Sequence, residues 1–168
     1  MSITQPVTTK SMRRRSLALL SAIALLSLTA CGEKRSVQCQ KVGDVLNAAS
    51  SQRMSASSAT DSFSKGAEIS RKAAADLQAL ELGDKKLSNL RSHLAASFQD
   101  MADSSTAIAA VAGPDGSVIS DSSTSAEHDA LFTKFAAVGT DFNTKFTALQ
   151  TYCNGGTVPS ELTDAPAQ

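Results

Sequence analysis

Tryptophan is absent from this chain, tyrosine occurs once, and aromatic residues make up only 4% of 168 positions. Large rings bury the most area per residue, so a core without them is thin, and a thin core in a small domain usually carries a covalent staple. Proline is almost as scarce: beyond residue 31 only Pro114, Pro159 and Pro166 occur, and strand-like alternation is missing as well. Neither sign of charge is in excess, with 16 basic and 16 acidic side chains. The length excludes a two-domain Rossmann enzyme, a TIM barrel and a polytopic membrane protein. There is no Gly-x-Ser-x-Gly, no Walker loop, no His-Glu-x-x-His and no Cys-x-x-Cys-His, so the common hydrolase, nucleotide, zinc and haem signatures are all missing. What is present is a chain that is 42% hydrophobic, chiefly Ala, Leu and Val, which is not a disordered composition.

The first thirty residues read as an address. Arg13, Arg14 and Arg15 precede an apolar run over residues 16–29 that includes Leu17, Leu19, Leu20, Ile23 and Leu25, the pattern of a secretory signal and too short for a stable transmembrane helix. Met12, directly before the arginines, is an alternative start to Met1. The run stops at Leu28-Thr29-Ala30-Cys31, which resembles the lipobox of bacterial lipoproteins. That resemblance covers about a fifth of the chain. It implies that Cys31 receives a diacylglyceryl group with palmitate-type chains and that cleavage just before Cys31 makes it the first mature residue. Gly32 stands where Asp would be the usual inner-membrane retention signal, so the outer membrane is favoured over the inner. The expected division is a signal peptide at 1–30, the lipidated Cys31 with a short tether at 31–36, a helical domain at 37–156, and a disordered tail at 157–168. Cleavage removes Lys10 and three arginines and no acid, leaving 12 basic against 16 acidic groups. No nucleic-acid footprint remains.

Helical periodicity dominates the mature chain. Cys39, Val42, Leu46 and Ala49 are spaced for helix one over 37–54, and a Ser/Ala/Thr cluster at 55–62 suggests a turn. Phe63, Ala67, Ser70, Ala74, Leu77 and Leu80 mark helix two over 61–82, with Gly83 as its stop and Asp84 as the N-cap of helix three. Leu87, Leu94, Met101 and Ile108 recur every seven residues along helix three, flanked by Leu90, Ser97 and Phe98, a pattern that demands close helix partners. Gly113-Pro114-Asp115-Gly116 ends it. Thr124 and Glu127 form a capping box for helix four. That helix is expected to bury Leu131, Phe135, Val138, Phe142, Phe146, Leu149 and Cys153 before Asn154-Gly155-Gly156 closes it.

A single-glycine joint between helices two and three forces an antiparallel hairpin, so the expected fold is all-α, an antiparallel up-and-down four-helix bundle. In that topology Cys39 and Cys153 lie at one end, and export places them in an oxidising compartment, so a Cys39–Cys153 disulfide is expected to close the bundle.

Candidate chemistry is sparse. His93 and His128 are the only histidines and fall about 20 Å apart along an antiparallel pair, too far to share a metal. Ser62-Phe63-Ser64-Lys65 matches a Ser-x-x-Lys signature, but its partner motifs are missing. Neither a metal nor a cofactor is expected. One pattern rises above background: between Arg91 and Lys134 there is no Lys or Arg, while Asp115, Asp121, Glu127 and Asp129 gather at the end opposite the disulfide. Lys34, Arg35, Lys41, Lys85 and Lys86 sit at the other end, suited to anionic headgroups. The acidic end reads either as a solubilising surface or as a docking site for a basic protein partner. The expected function is a non-enzymatic binding or scaffold module, anchored in the membrane through the lipid on Cys31. Its alternative is a small envelope enzyme or cation sensor built on those four acids.

Overall fold

The computed structural model describes residues 33–55, 59–111 and 125–164. Four long helices, α1 (Arg35–Ser55), α2 (Ala59–Gln78), α3 (Lys85–Val111) and α4 (Ser125–Cys153), are followed by the one-turn α5 (Ser160–Thr163), with no strand among the described residues. They pack as an antiparallel bundle, closed by a disulfide between Cys39 and Cys153 with Cα atoms 5.9 Å apart. Among the described residues no helix is long and apolar enough to cross a membrane.

α3 is the axis of the fold, packing on α2, α4 and α5. All four heptad residues, Leu87, Leu94, Met101 and Ile108, are buried, as are the flanking Leu90, Ser97 and Phe98. Each fully buried leucine contributes about 1.5–3 kcal/mol. Opposite this seam α2 sets Ala67, Ser70, Ala73, Ala74 and Leu77, all buried. These side chains are mostly small, and α2 and α3 accordingly make the most extensive contact in the molecule.

The helix-two boundary differs from its expected position. α2 stops at Gln78, not residue 82, and residues 79–84 form a longer connection than a single glycine. The cause comes from α3. The Arg91 guanidinium donates through Nη1 to the carbonyls of Leu77 (3.2 Å), Gln78 (2.8 Å) and Leu80 (3.1 Å), capping the end of α2 from outside. Leu80 and Leu82 then pack on the core as loop residues. Gly83 is no left-handed helix stop, since Gly155 is the only described residue with positive φ. Asp84 does cap α3, its Oδ1 accepting the Leu87 N–H at 3.1 Å.

α4 ends at the expected glycines. Gly155 adopts φ 82°. Its N–H donates to Tyr152 O at 3.0 Å, and that of Gly156 to Thr151 O at 2.8 Å, the paired bonds of a Schellman end. Residues 157–164, expected within a solvated tail, instead turn back onto the bundle. Val158 and Leu162 pack against the core, and Asn89 Nδ2 donates to Thr163 O at 2.6 Å. The short tail helix thereby covers one side of α3.

α1 is the loosely held element. It buries only Gln38, Val42 and Ala49, and it meets α4 closely at the disulfide and little elsewhere. The expected buried face of α4 is therefore only partly covered: Leu149 is buried, while Leu131, Phe135, Val138, Phe142, Phe146 and Cys153 are half-buried.

Candidate functional site: an apolar cleft between the first and last helices

Where α1 and α4 part, a cleft of about 500 Å³ opens, within the range of small-molecule sites. Leu46 and Ala49 of α1, Phe98 of α3, and Phe142, Phe146 and Leu149 of α4 form its apolar walls. The Phe98 and Phe142 rings meet edge to face at 5.0 Å, and Phe142 stacks on Phe146 at 6.0 Å. Half of the six phenylalanines thus gather at the cleft, while Phe63, Phe132 and Phe135 form a second cluster elsewhere. Asn47, Ser50, Asn143 and Gln150 add polar positions, and the disulfide lies at one end. Among the described residues no Asp or Glu lines the cleft.

Among the described residues that line it, the one charged side chain is Arg53. Nη2 donates to Ser70 Oγ at 2.9 Å and to Met101 Sδ at 2.6 Å, a fully buried hydroxyl and a weak thioether acceptor. Among the described residues no carboxylate pairs with it. Partial burial pulls the guanidinium below its ordinary pKa, yet arginine does not give up its proton in proteins, so Arg53 stays charged at the cleft, exposed to solvent.

The disulfide end is tied by polar contacts. Tyr152 donates its hydroxyl to both Asp84 oxygens, at 2.9 and 2.8 Å. Arg35 lies 4.8 Å over the Tyr152 ring and 3.7 Å from Asp84 Oδ2. The buried Gln38 accepts the Asp84 N–H through Oε1 at 3.0 Å and donates through Nε2 to Glu33 O at 2.6 Å. Partial burial pushes the Asp84 carboxyl up, but the Leu87 N–H, the Tyr152 hydroxyl, the Lys86 N–H and the Arg35 charge together bring it below its usual range. Midway along the bundle, Ser97 Oγ donates to Asp141 Oδ2 at 2.7 Å, and Lys145 Nζ donates to that same oxygen at 2.7 Å and to Ser97 Oγ at 3.0 Å. With Ser97 fully buried, this trio is an interhelical link and offers no reachable nucleophile.

The residues singled out from sequence are placed as follows. Cys39 and Cys153 are bonded to each other. Cys31, Asp115 and Asp121 lie outside the described residues. Glu127 and Asp129 are both exposed on the first turns of α4. Among the described residues no three His, Cys, Asp or Glu side chains group as metal ligands. His93 Nε2 lies 3.0 Å from Asp164 O, and His128 is buried. The stretch of α3 that lacks cations in sequence acquires them in space, since Arg71 Nη2 donates to Thr106 Oγ1 at 2.7 Å and Arg53 reaches Met101.

Periodicity treated Leu46, Phe142 and Phe146 as ordinary core and gave Arg53 no role at the cleft. A signal existed: Gly43, Asn47 and Ser50 recur at spacings of four and three on α1, a small and polar stripe beside the apolar one. Such a stripe leaves space where a sealed bundle would place another leucine. No protein-family model, no curated protein and no solved structure matches this chain.

Proposed function

We propose that this chain is a lipid-anchored cell-envelope lipoprotein, held through Cys31 and favouring the outer membrane, whose helical domain is a non-enzymatic binding module. The observation that carries the binding role is the aromatic-walled cleft between α1 and α4. Acid–base and nucleophilic catalysis need a titratable group beside the substrate. Among its described residues the cleft instead offers apolar surface, amides, a hydroxyl and one guanidinium, the chemistry of capture. The lipobox-like Leu28-Thr29-Ala30-Cys31 supports the anchoring part of the proposal.

Gly43 supplies the test. It lines the cleft, and a Cβ built there meets nothing within 4 Å, so a side chain can start at that position, and Gly43→Trp is chosen to fill the space beyond it. Equilibrium titration of residues 33–168 with the uncharged dye Nile red is expected to show one site per chain in the parent and loss of that site in the variant. Equal dye binding by both, with equal helicity in circular dichroism, would overturn the cleft as the binding site.

A further inference from the structure

The cleft combines three features that narrow its ligand. Its walls are aliphatic and aromatic and, among the described residues, its lining carries no acid, so a cationic ligand would find no counter-charge there. At the Arg53 position stands a guanidinium without a carboxylate partner among the described residues. Its hydrogen bonds to Ser70 and Met101 both use Nη2, and arginine carries five N–H donors in a fork that suits a carboxylate. Arg53 is exposed, so its remaining N–H donors are within reach of solvent or ligand. Along α1 the distance from Cys39 to Arg53 is about 21 Å at the helical rise, long enough to lay out an extended acyl chain.

We propose that the cleft binds a single-chain amphiphile with an anionic head, of which a free fatty acid is the simplest case, its alkyl chain lying along Leu46, Phe142 and Phe146 and its carboxylate meeting Arg53. This rests on the binding-module reading and adds the ligand's chemistry to it. The carboxylate gives Arg53 an anionic partner, which no described residue provides. The alkyl chain covers ring faces that α1 leaves open. A neutral lipid would satisfy only the second requirement, and a peptide helix, about 10 Å across with its side chains, could not enter the end of the cleft where the disulfide holds the Cα atoms of α1 and α4 5.9 Å apart.

The test uses the full chain in phosphatidylcholine nanodiscs and two photoactivatable probes, diazirine-bearing palmitic acid and the corresponding alcohol. Peptide mapping of the acid's adducts is expected to place them on α1 and α4 residues of the cleft, with labelling by the acid about tenfold or more above that by the alcohol. Arg53→Gln, in which the amide keeps a donor for Ser70, is expected to bring the acid down to the alcohol's level. Gly43→Trp is expected to abolish both. Equal labelling by acid and alcohol in the unmutated protein would overturn the anionic-head proposal, and that comparison needs no variant to fold. Labelling by either probe that survives Gly43→Trp, or no cleft labelling at all, would overturn the binding-module reading itself. Adducts joining two copies of the chain would replace the amphiphile by a second protomer and overturn the proposal.

Discussion

At the residue scale, Asp84 does the most varied work. It caps α3, accepts two bonds from Tyr152 and faces Arg35, so one carboxylate joins three helices beside the disulfide. Asp84→Ala is expected to cost about 1–3 kcal/mol in urea unfolding at neutral pH. The pH dependence has a definite sign. A carboxyl whose folded pKa lies below its unfolded value takes up its proton more readily when unfolded, so its contribution is present above about pH 4 and fades as pH falls through the folded value. Asp141 acts in the same direction: burial raises it, but Lys145 and Ser97 bring it down. The parent should therefore lose stability between about pH 5 and pH 3 more steeply than Asp84→Asn, and parallel curves would refute the role given to Asp84. Ser104 presents the opposite case, being 4% exposed with no partner for its Oγ. Ser104→Ala removes a buried, unsatisfied hydroxyl and is expected to leave stability unchanged or raise it by about 1 kcal/mol. A loss of that size would mean that the hydroxyl has a partner.

At the element scale, the end of α2 is the informative case. Arg91 holds the carbonyls of Leu77, Gln78 and Leu80 from a neighbouring helix. Arg91→Ala is expected to lower stability by about 1–3 kcal/mol and to speed amide exchange at Ala79 and Leu80, with Arg91→Lys restoring only part because one ammonium does not reproduce the planar fork. Unchanged exchange at those amides would show that the end of α2 holds without Arg91. The same contact explains a limit of reading elements from sequence. The start of α3 and the end of α4 were legible because Asp84 and Gly155-Gly156 act on neighbours within a few residues. The end of α2 was not, because its cap lies thirteen residues on from Gln78. The tail helix was missed for a related reason: a single turn has no period to detect, and its docking depends on Asn89 in α3. α3 itself was legible throughout, since a heptad pattern states which face is buried whatever partners it meets.

At the scale of the whole molecule, the disulfide and the cleft belong together. A bond across 114 residues contributes about 4–5 kcal/mol in the chain-entropy model, and it anchors an α1 that buries little of its own surface. Reduction is expected to lower the urea midpoint and to release α1 first in hydrogen exchange, before α2 and α3 lose protection. The topology that pairs Cys39 with Cys153 was legible in sequence. The cleft was not, since periodicity identifies apolar faces and does not say whether two facing helices touch. For the proposed anchor, Cys31→Ser is expected to leave an unlipidated precursor of higher mass, and normally cut soluble protein would refute it. The most direct measurement of the cleft is an amide chemical-shift titration of ¹⁵N-labelled residues 33–168 with decanoate. Saturable shifts are expected at Gly43, Leu46, Asn47, Arg53, Asn143 and Phe146, with the Phe63–Phe132–Phe135 cluster unmoved. Shifts confined to that second cluster, or none that saturate, would contradict a ligand site between α1 and α4.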